Sequence, residues 1–188
     1  MRRKDREMDR EFANGVIDSS SFGSIALWDE KNQETYSLPL SIVRVENTLY
    51  FHSAKSGRKV ELLKEGNVYG LSFVSWNEVP KILTNEDIKE MIKDKTKIPR
   101  LLSRVFTTQF ASATVKAKCR IVTDEKEILM AMEKICKKYT RDKMEFFTMA
   151  MEAGGPRINV YALDIITIQG KRKQLDSSGE EMKWGRME

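Results

Sequence analysis

Residues 49–59 read LYFHSAKSGRK, and the fold turns on how they are divided. Leu49, Tyr50 and Phe51 are bulky strand formers that follow a polar turn, Glu46-Asn47-Thr48. The character then changes. His52, Ser53, Ser56, Gly57, Arg58 and Lys59 bring donors, hydroxyls, cations and one flexible backbone position. Val60, Leu62 and Leu63, with Glu61 and Lys64, read as a short helix. A strand that turns through Ser-Gly-Arg-Lys into a helix is suited to trapping an anion. Backbone N–H groups at a helix start are free, and the helix dipole favours negative charge there. Arg58 can grip a phosphate through two parallel hydrogen bonds, and Lys59 adds a point charge. The same letters also accommodate a solvated basic turn beside a histidine that bonds within the core.

Upstream of this stretch the pattern is a meander. Gly23 to Trp28 is a short apolar run, Asp29 to Gln33 a polar turn, and Thr35 to Val45 the returning strand of a hairpin. Around Leu38-Pro39-Leu40-Ser41-Ile42-Val43 this strand is too apolar for a simple exposed face. Pro39 cannot donate to a ladder, so it marks a sheet edge or a bulge, and a carbonyl near it is left for a ligand. Asp9 to about Ser19, with Phe12, Val16 and Ile17 at helical spacing, is the preceding helix.

Downstream, Val68 to Val74 is the next strand, and Trp76 to Pro80 is expected to leave the sheet. Thr84 followed by Asp87 carries helix-start chemistry. Residues 81–105 thus read as a helical insert that lies over a pocket or caps the sheet. Phe106 to Val122 is a long strand candidate: Ala111, Ala113, Val115, Ala117 and Cys119 share one parity, Ser112, Thr114, Lys116 and Lys118 the other. A capping-box-like start at Asp124 and Glu127 opens a helix through Ile128, Met132, Ile135, Cys136 and Tyr139. Met144 to Met151 is a further helix, and Ile158 to Ile168 the last strand. The expectation is one domain over 1–173, mainly β with α, with about six mostly antiparallel strands in a small barrel flanked by helices. Residues 174–188 form a polar tail in which Trp184 wants a partner surface.

Composition narrows the function classes. The 188 residues carry 33 Lys and Arg against 28 Asp and Glu, a net charge of +5 that permits an anionic ligand. The basic residues are interleaved with acids, so the single-sign stripe of a nucleic-acid-binding surface is missing. No apolar run approaches the roughly 20 residues of a membrane helix. The charged start MRRKDREMDREF lacks the apolar core of a signal peptide, so a cytoplasmic location is the expectation. With one histidine, and two cysteines in different elements, a zinc site is not expected, and Cys119 and Cys136 read as reduced core positions. The sequence has no GxSxG, GxGxxG or GxxxxGK[ST] motif. An enzyme with so little chemistry in its side chains would borrow it from a cofactor.

Six segments carry a family resemblance: MRRKDREM at 1–8, LPLSIV at 38–43, LYFHSAKSGRK at 49–59, FTTQFASATV at 106–115, CKKYT at 136–140 and INVYALDIITIQGKRK at 158–173. Taken in order, they resemble the pyridoxamine 5′-phosphate oxidase-related flavoproteins, the FMN-binding split barrels. Within these the nearest branch is that of the 5-nitroimidazole reductases, the Nim-type resistance proteins. The resemblance implies a six-stranded antiparallel split barrel with FMN held between two subunits of a homodimer. On it, Pro39, Leu40, Ser41 and Ile42 would run along the isoalloxazine edge, and His52, Ser53 and Ala54 would border the ring or ribityl chain. Arg58 and Lys59 would hold the phosphate, and Ser112 would lie close to the cofactor from the long strand. His52 matches a Nim-type histidine at the substrate end and is the candidate for substrate contact or proton donation. The implied activity is electron transfer from reduced FMN, charged by a nicotinamide cofactor or a partner, to a small oxidised substrate such as a nitroaromatic. A non-catalytic flavin- or haem-binding module is the alternative. Trp28 and its turn, and the 81–105 insert, depart from the common pattern.

Overall fold

The computed structural model describes residues 3–183, with nothing given for the side chain of Arg100. Eight strands stand among the described residues: β1 (Glu7–Met8), β2 (Gly23–Asp29), β3 (Glu34–Leu40), β4 (Val43–Val45), β5 (Thr48–Ala54), β6 (Val68–Glu78), β7 (Gln109–Ile121) and β8 (Ile158–Lys173). All pairs are antiparallel, in the order β3-β2-β6-β7-β8-β5-β4, with β1 on the edge of β8. Six strands were expected. The Thr35–Val45 segment is broken into β3 and β4, because Ser41 and Ile42 belong to neither ladder. The pair Glu7–Met8 is too short to show a period of two, and it lies against Lys171 and Gly170. Trp76 does not leave the sheet: a bulge between Val74 and Trp76 absorbs the irregularity, and β6 continues to Glu78.

Alternation sets which side of each strand is buried. Along β7, Ala111, Ala113, Val115, Ala117 and Cys119 are buried and their neighbours are not, as the period of two requires. These join Ile25, Leu27, Leu49, Phe51, Leu71, Phe73, Tyr161 and Leu163 in one core, which α1 (Arg10–Ser19) completes with Ala13, Val16 and Ile17. Phe51 and Tyr161 stack at 5.1 Å between ring centroids. Each such fully buried side chain contributes roughly 1.5–3 kcal/mol. Gly23 is required here: a Cβ would come within 2.3 Å of the Phe73 ring.

A second core lies on the outer face of β5 and β8. There α5 (Glu125–Tyr139) sets Ala131, Met132 and Ile135 against Tyr50, Val160 and Ala162. β5 is therefore buried on both faces along its first half, which explains the unbroken apolar run Leu49-Tyr50-Phe51. Beyond α5, α6 (Phe147–Gly154) leads into β8. The expected helix at Met144 begins instead as a 3-10 segment, Arg141–Phe146.

The insert between β6 and β7 contains α3 (Asn85–Met91), capped reciprocally by Thr84 and Asp87, and α4 (Ile98–Val105). Residues 174–183 bond to one another and to the insert. Asp176 accepts from Ser178 and Glu180, Leu175 bridges to Glu181, and Glu180 pairs with Arg104 of α4. Trp184 lies outside the described residues. No helix among the described residues is long and apolar enough to cross a membrane.

Candidate flavin site at the barrel seam

The sheet path is open between its two ends, β3 and β4, yet these follow one another in the chain. The two-residue link Ser41-Ile42 is therefore the seam of the barrel. Side-chain direction alternates through it: Pro39 and Ser41 are exposed, Leu40 and Ile42 buried. Phe22, Ser24, Pro39, Leu40 and Ser41 line a concavity of about 410 Å³ at this point. The β4–β5 register pairs Val43 with Tyr50, and β4 stops there. Pro39 and Ser41 lie before that ladder begins, and His52 and Ala54 lie on β5 past its end. All four are exposed.

Helix α2 (Arg58–Leu62) follows β5 through a turn in which Gly57 adopts φ 109°, a left-handed conformation that favours glycine. With five residues its dipole is small, and the electrostatics of the turn rest on its side chains. Arg58 is already engaged. Its Nε and Nη2 donate to Asp29 Oδ2 at 3.0 and 2.7 Å, Nη2 also reaches Glu34, and the guanidinium lies 4.5 Å from the centroid of the Tyr36 ring. Lys59 has no ion-pair partner among the described residues, and burial lowers its pKa. The His52 side chain makes no hydrogen bond among them either. The residue is exposed, yet desolvation, and then the Lys59 charge, lower its pKa. Lys59 and His52 are thus close enough to repel, and each would gain from an anion placed between them.

The other expected residues fall into two groups. Ser53 points inward, and its hydroxyl donates to the neighbouring carbonyl of Ala54 at 2.8 Å. The Ile42 peptide is occupied: the Tyr139 hydroxyl accepts from Ile42 N at 3.0 Å and donates to Ile42 O at 2.9 Å. Ser112 is on the same outer face as Pro39 but not beside it. Pro39, Ser24, Ser72 and Thr114 form one row across four strands. Three strand spacings of about 4.8 Å put the β7 end of that row about 14 Å from Pro39, with Ser112 one same-face step further on. Between them the sheet face is concave, holds about 610 Å³ and is lined by small and hydroxyl-bearing residues, among them Ser37, Gly70 and Thr167. The 81–105 insert contributes no residue to the concavity at Pro39–Ser41.

Sequence reasoning did not single out Asp29 and Glu34 as partners of Arg58, or Phe22 as a wall of the seam. Lys138 entered only within the segment CKKYT, and the α5 periodicity that marks Tyr139 makes it a core position and says nothing of its hydroxyl.

The fold is an antiparallel sheet whose two end strands, β3 and β4, meet at the Ser41-Ile42 link. Residues 9–78 match the family described as pyridoxamine 5′-phosphate oxidase. No curated protein sequence matches the chain. Solved structures extend the likeness. A candidate 5-nitroimidazole antibiotic resistance protein from Bacteroides thetaiotaomicron VPI-5482 is 17% identical, with a TM-score of 0.62 over 88% of this chain and 86% of that one. An FAD-binding protein from Mycobacterium smegmatis is 14% identical, with a TM-score of 0.58 over 88% and 96%. A flavocytochrome from Azotobacter vinelandii is 13% identical, with a TM-score of 0.58 over 88% and 68%. The match to the pyridoxamine 5′-phosphate oxidase family thus covers the first part of the barrel, and the chain shares the fold of these solved structures.

Proposed function

We propose that the protein binds FMN along the seam and uses it to reduce a small oxidised substrate, a nitroaromatic such as a 5-nitroimidazole being the first class to try. The observation that carries this reading is the unpaired Lys59 beside the exposed His52 at the end of β5, with Pro39 and Ser41 exposed along the seam. The residues present fit a flavin. The Phe22 and Pro39 side chains offer apolar surface to a flat ring, and the Ser41 peptide offers a donor and an acceptor that no described residue engages. Lys59 would hold the phosphate, and Arg58 would join it by leaving Glu34 while keeping Asp29. When bound, the flavin supplies the two-electron chemistry that no side chain of this chain can provide. His52, whose pKa burial and then the Lys59 charge lower, would orient a substrate or pass it a proton.

Ser112 and the small-residue face support a homodimer. A second copy seated on that face would bring its own Ser112 toward the first copy's seam and would exclude water from both rings. The alternative of a non-catalytic flavin- or haem-binding module is favoured by one observation: His52 is the only histidine in the chain.

The test is an absorption spectrum of the untagged protein after excess FMN and desalting. Flavin bands at about one per chain support the reading, and their reoxidation by a nitroimidazole after anaerobic reduction supports the activity. A protein that takes up no flavin overturns both, and a Soret band favours haem.

A further inference from the structure

Where β3 gives way to β4, the Ser41-Ile42 link has no neighbouring strand to satisfy its peptides. A buried peptide without partners is costly, so some other group must stand in for the strand. Here α5 does so. The Tyr139 phenol is both acceptor and donor, and it takes Ile42 N at 3.0 Å and Ile42 O at 2.9 Å. Lys138 Nζ donates to the same Ile42 O at 3.1 Å and to Ile17 O at 3.2 Å, tying the seam to α1 as well. Burial lowers the pKa of Lys138 and the Asp18 charge opposes that shift, while the two carbonyls hold its ammonium in place.

The consequence is directional. With the Ile42 peptide fixed and its side chain fully buried in the inner core, the preceding residue must face outward. Ser41 does so, and its N–H, C=O and hydroxyl make no bond among the described residues. We propose that Tyr139 and Lys138 are positioning residues for the ring end of the cofactor site: they hold the Ile42 peptide so that Ser41 presents its backbone edge to the ligand. This rests on the flavin reading above. Two adjacent residues of α5 thus set the shape of the seam.

The experiment compares FMN with lumiflavin, which has the ring but no ribityl phosphate, in titrations of the wild-type protein, Tyr139→Phe, Lys138→Met and Lys59→Met. All are run well below the melting midpoint, with circular dichroism confirming the fold. Tyr139→Phe keeps the ring that packs on the outer core, so it is expected to fold. Tyr139→Phe is expected to weaken both ligands by about tenfold, the loss that one or two backbone hydrogen bonds predict. Lys138→Met should weaken both by a smaller factor. Lys59→Met should weaken FMN alone. Hydrogen exchange at the Ile42 amide should accelerate in Tyr139→Phe. Unchanged lumiflavin affinity in both α5 variants, with wild-type binding intact, overturns the positioning role even if stability falls. Wild-type protein that binds neither ligand overturns the flavin reading and this proposal with it.

Discussion

Arg58 closes on Asp29 through two donors to one oxygen, at 3.0 and 2.7 Å, across the base of the β2–β3 hairpin. Asp29 is buried and also accepts from Asn32 N and Nδ2, which shape the turn. The Asn32 bonds first, and then Arg58, lower its pKa. Arg58 therefore holds the fold as well as any phosphate. Arg58→Ala is expected to lower the melting midpoint and to raise the pH of acid unfolding. The sign follows from the lowered carboxyl: its stabilisation is present above the unfolded carboxylate pKa and disappears as pH falls through the folded value. Lys59→Met, which breaks no ion pair, should leave the midpoint in place while weakening FMN by about 10- to 100-fold, the range of a charge-assisted bond. Equal midpoints for the two variants, by calorimetry at pH 5 and 7, would remove the structural role given to Arg58.

The Lys59 charge acts on His52, and the coupling can be read directly. Burial and then that charge lower the imidazole pKa, so Lys59→Met should raise it. The measurement is a proton NMR titration of the single histidine between pH 4 and 8. The linkage is consistent in sign. The unfolded chain binds the proton more readily, so the fold loses stability as pH falls from the unfolded histidine value toward the folded one. An unmoved titration in the Lys59 variant would separate the two side chains and dissolve the site as described.

How much of this was legible in the sequence depended on range. The β5 stretch, the alternation along β7 and the α5 stripe are local patterns, and the structure follows them closely. The break at Ser41-Ile42 was hidden because its cause lies 97 residues away, in a tyrosine that replaces a strand. The same device recurs at Tyr69, whose hydroxyl donates to Leu62 O and accepts from Lys64 N, both at 2.8 Å. Periodicity cannot show such bonds, since a core tyrosine and a backbone-holding tyrosine occupy the same helical or strand position. The partners of Arg58 were hidden for a related reason: Asp29 and Glu34 bracket a hairpin turn, where acids are ordinary and carry no signal of what they bind.

The C-terminal segment makes its own prediction. Glu180 pairs with Arg104 and Glu181 with Arg6, so residues 174–183 tie the insert to the N-terminus. Gly179 sits at φ 77° against Ile82 and Arg104. Ending the chain after Lys173 should leave the barrel and its ligand affinity intact but speed limited proteolysis within 81–105. Cleavage at the wild-type rate would mean the insert is ordered without the hairpin.

The outer core depends on a polar cluster that a single hydroxyl completes. Tyr50 donates to Glu127 Oε1 at 2.7 Å, and Arg120 grips both oxygens of Glu127 at 2.8 and 2.9 Å. Burial, and then the bond to Glu127, push the Tyr50 phenol up to about 12. Tyr50→Phe keeps the ring against Ala131 and Ile135 and removes only the hydroxyl. The loss of one hydrogen bond to a charged group predicts about 1.5–3 kcal/mol of stability. At about 2–4 °C per kcal/mol for a chain of this size, the midpoint falls by several degrees. The pH dependence adds a second check. An acid whose folded pKa is raised contributes stability that is complete below its unfolded value and is lost as pH climbs through the folded value, here from about 10 to about 12. Urea melts of the wild-type protein should therefore show a decline in stability above pH 10 that is shallower in Tyr50→Phe. Parallel profiles for the two proteins would mean that the Tyr50 hydroxyl is bonded equally well in the unfolded chain or is not bonded to Glu127 at all.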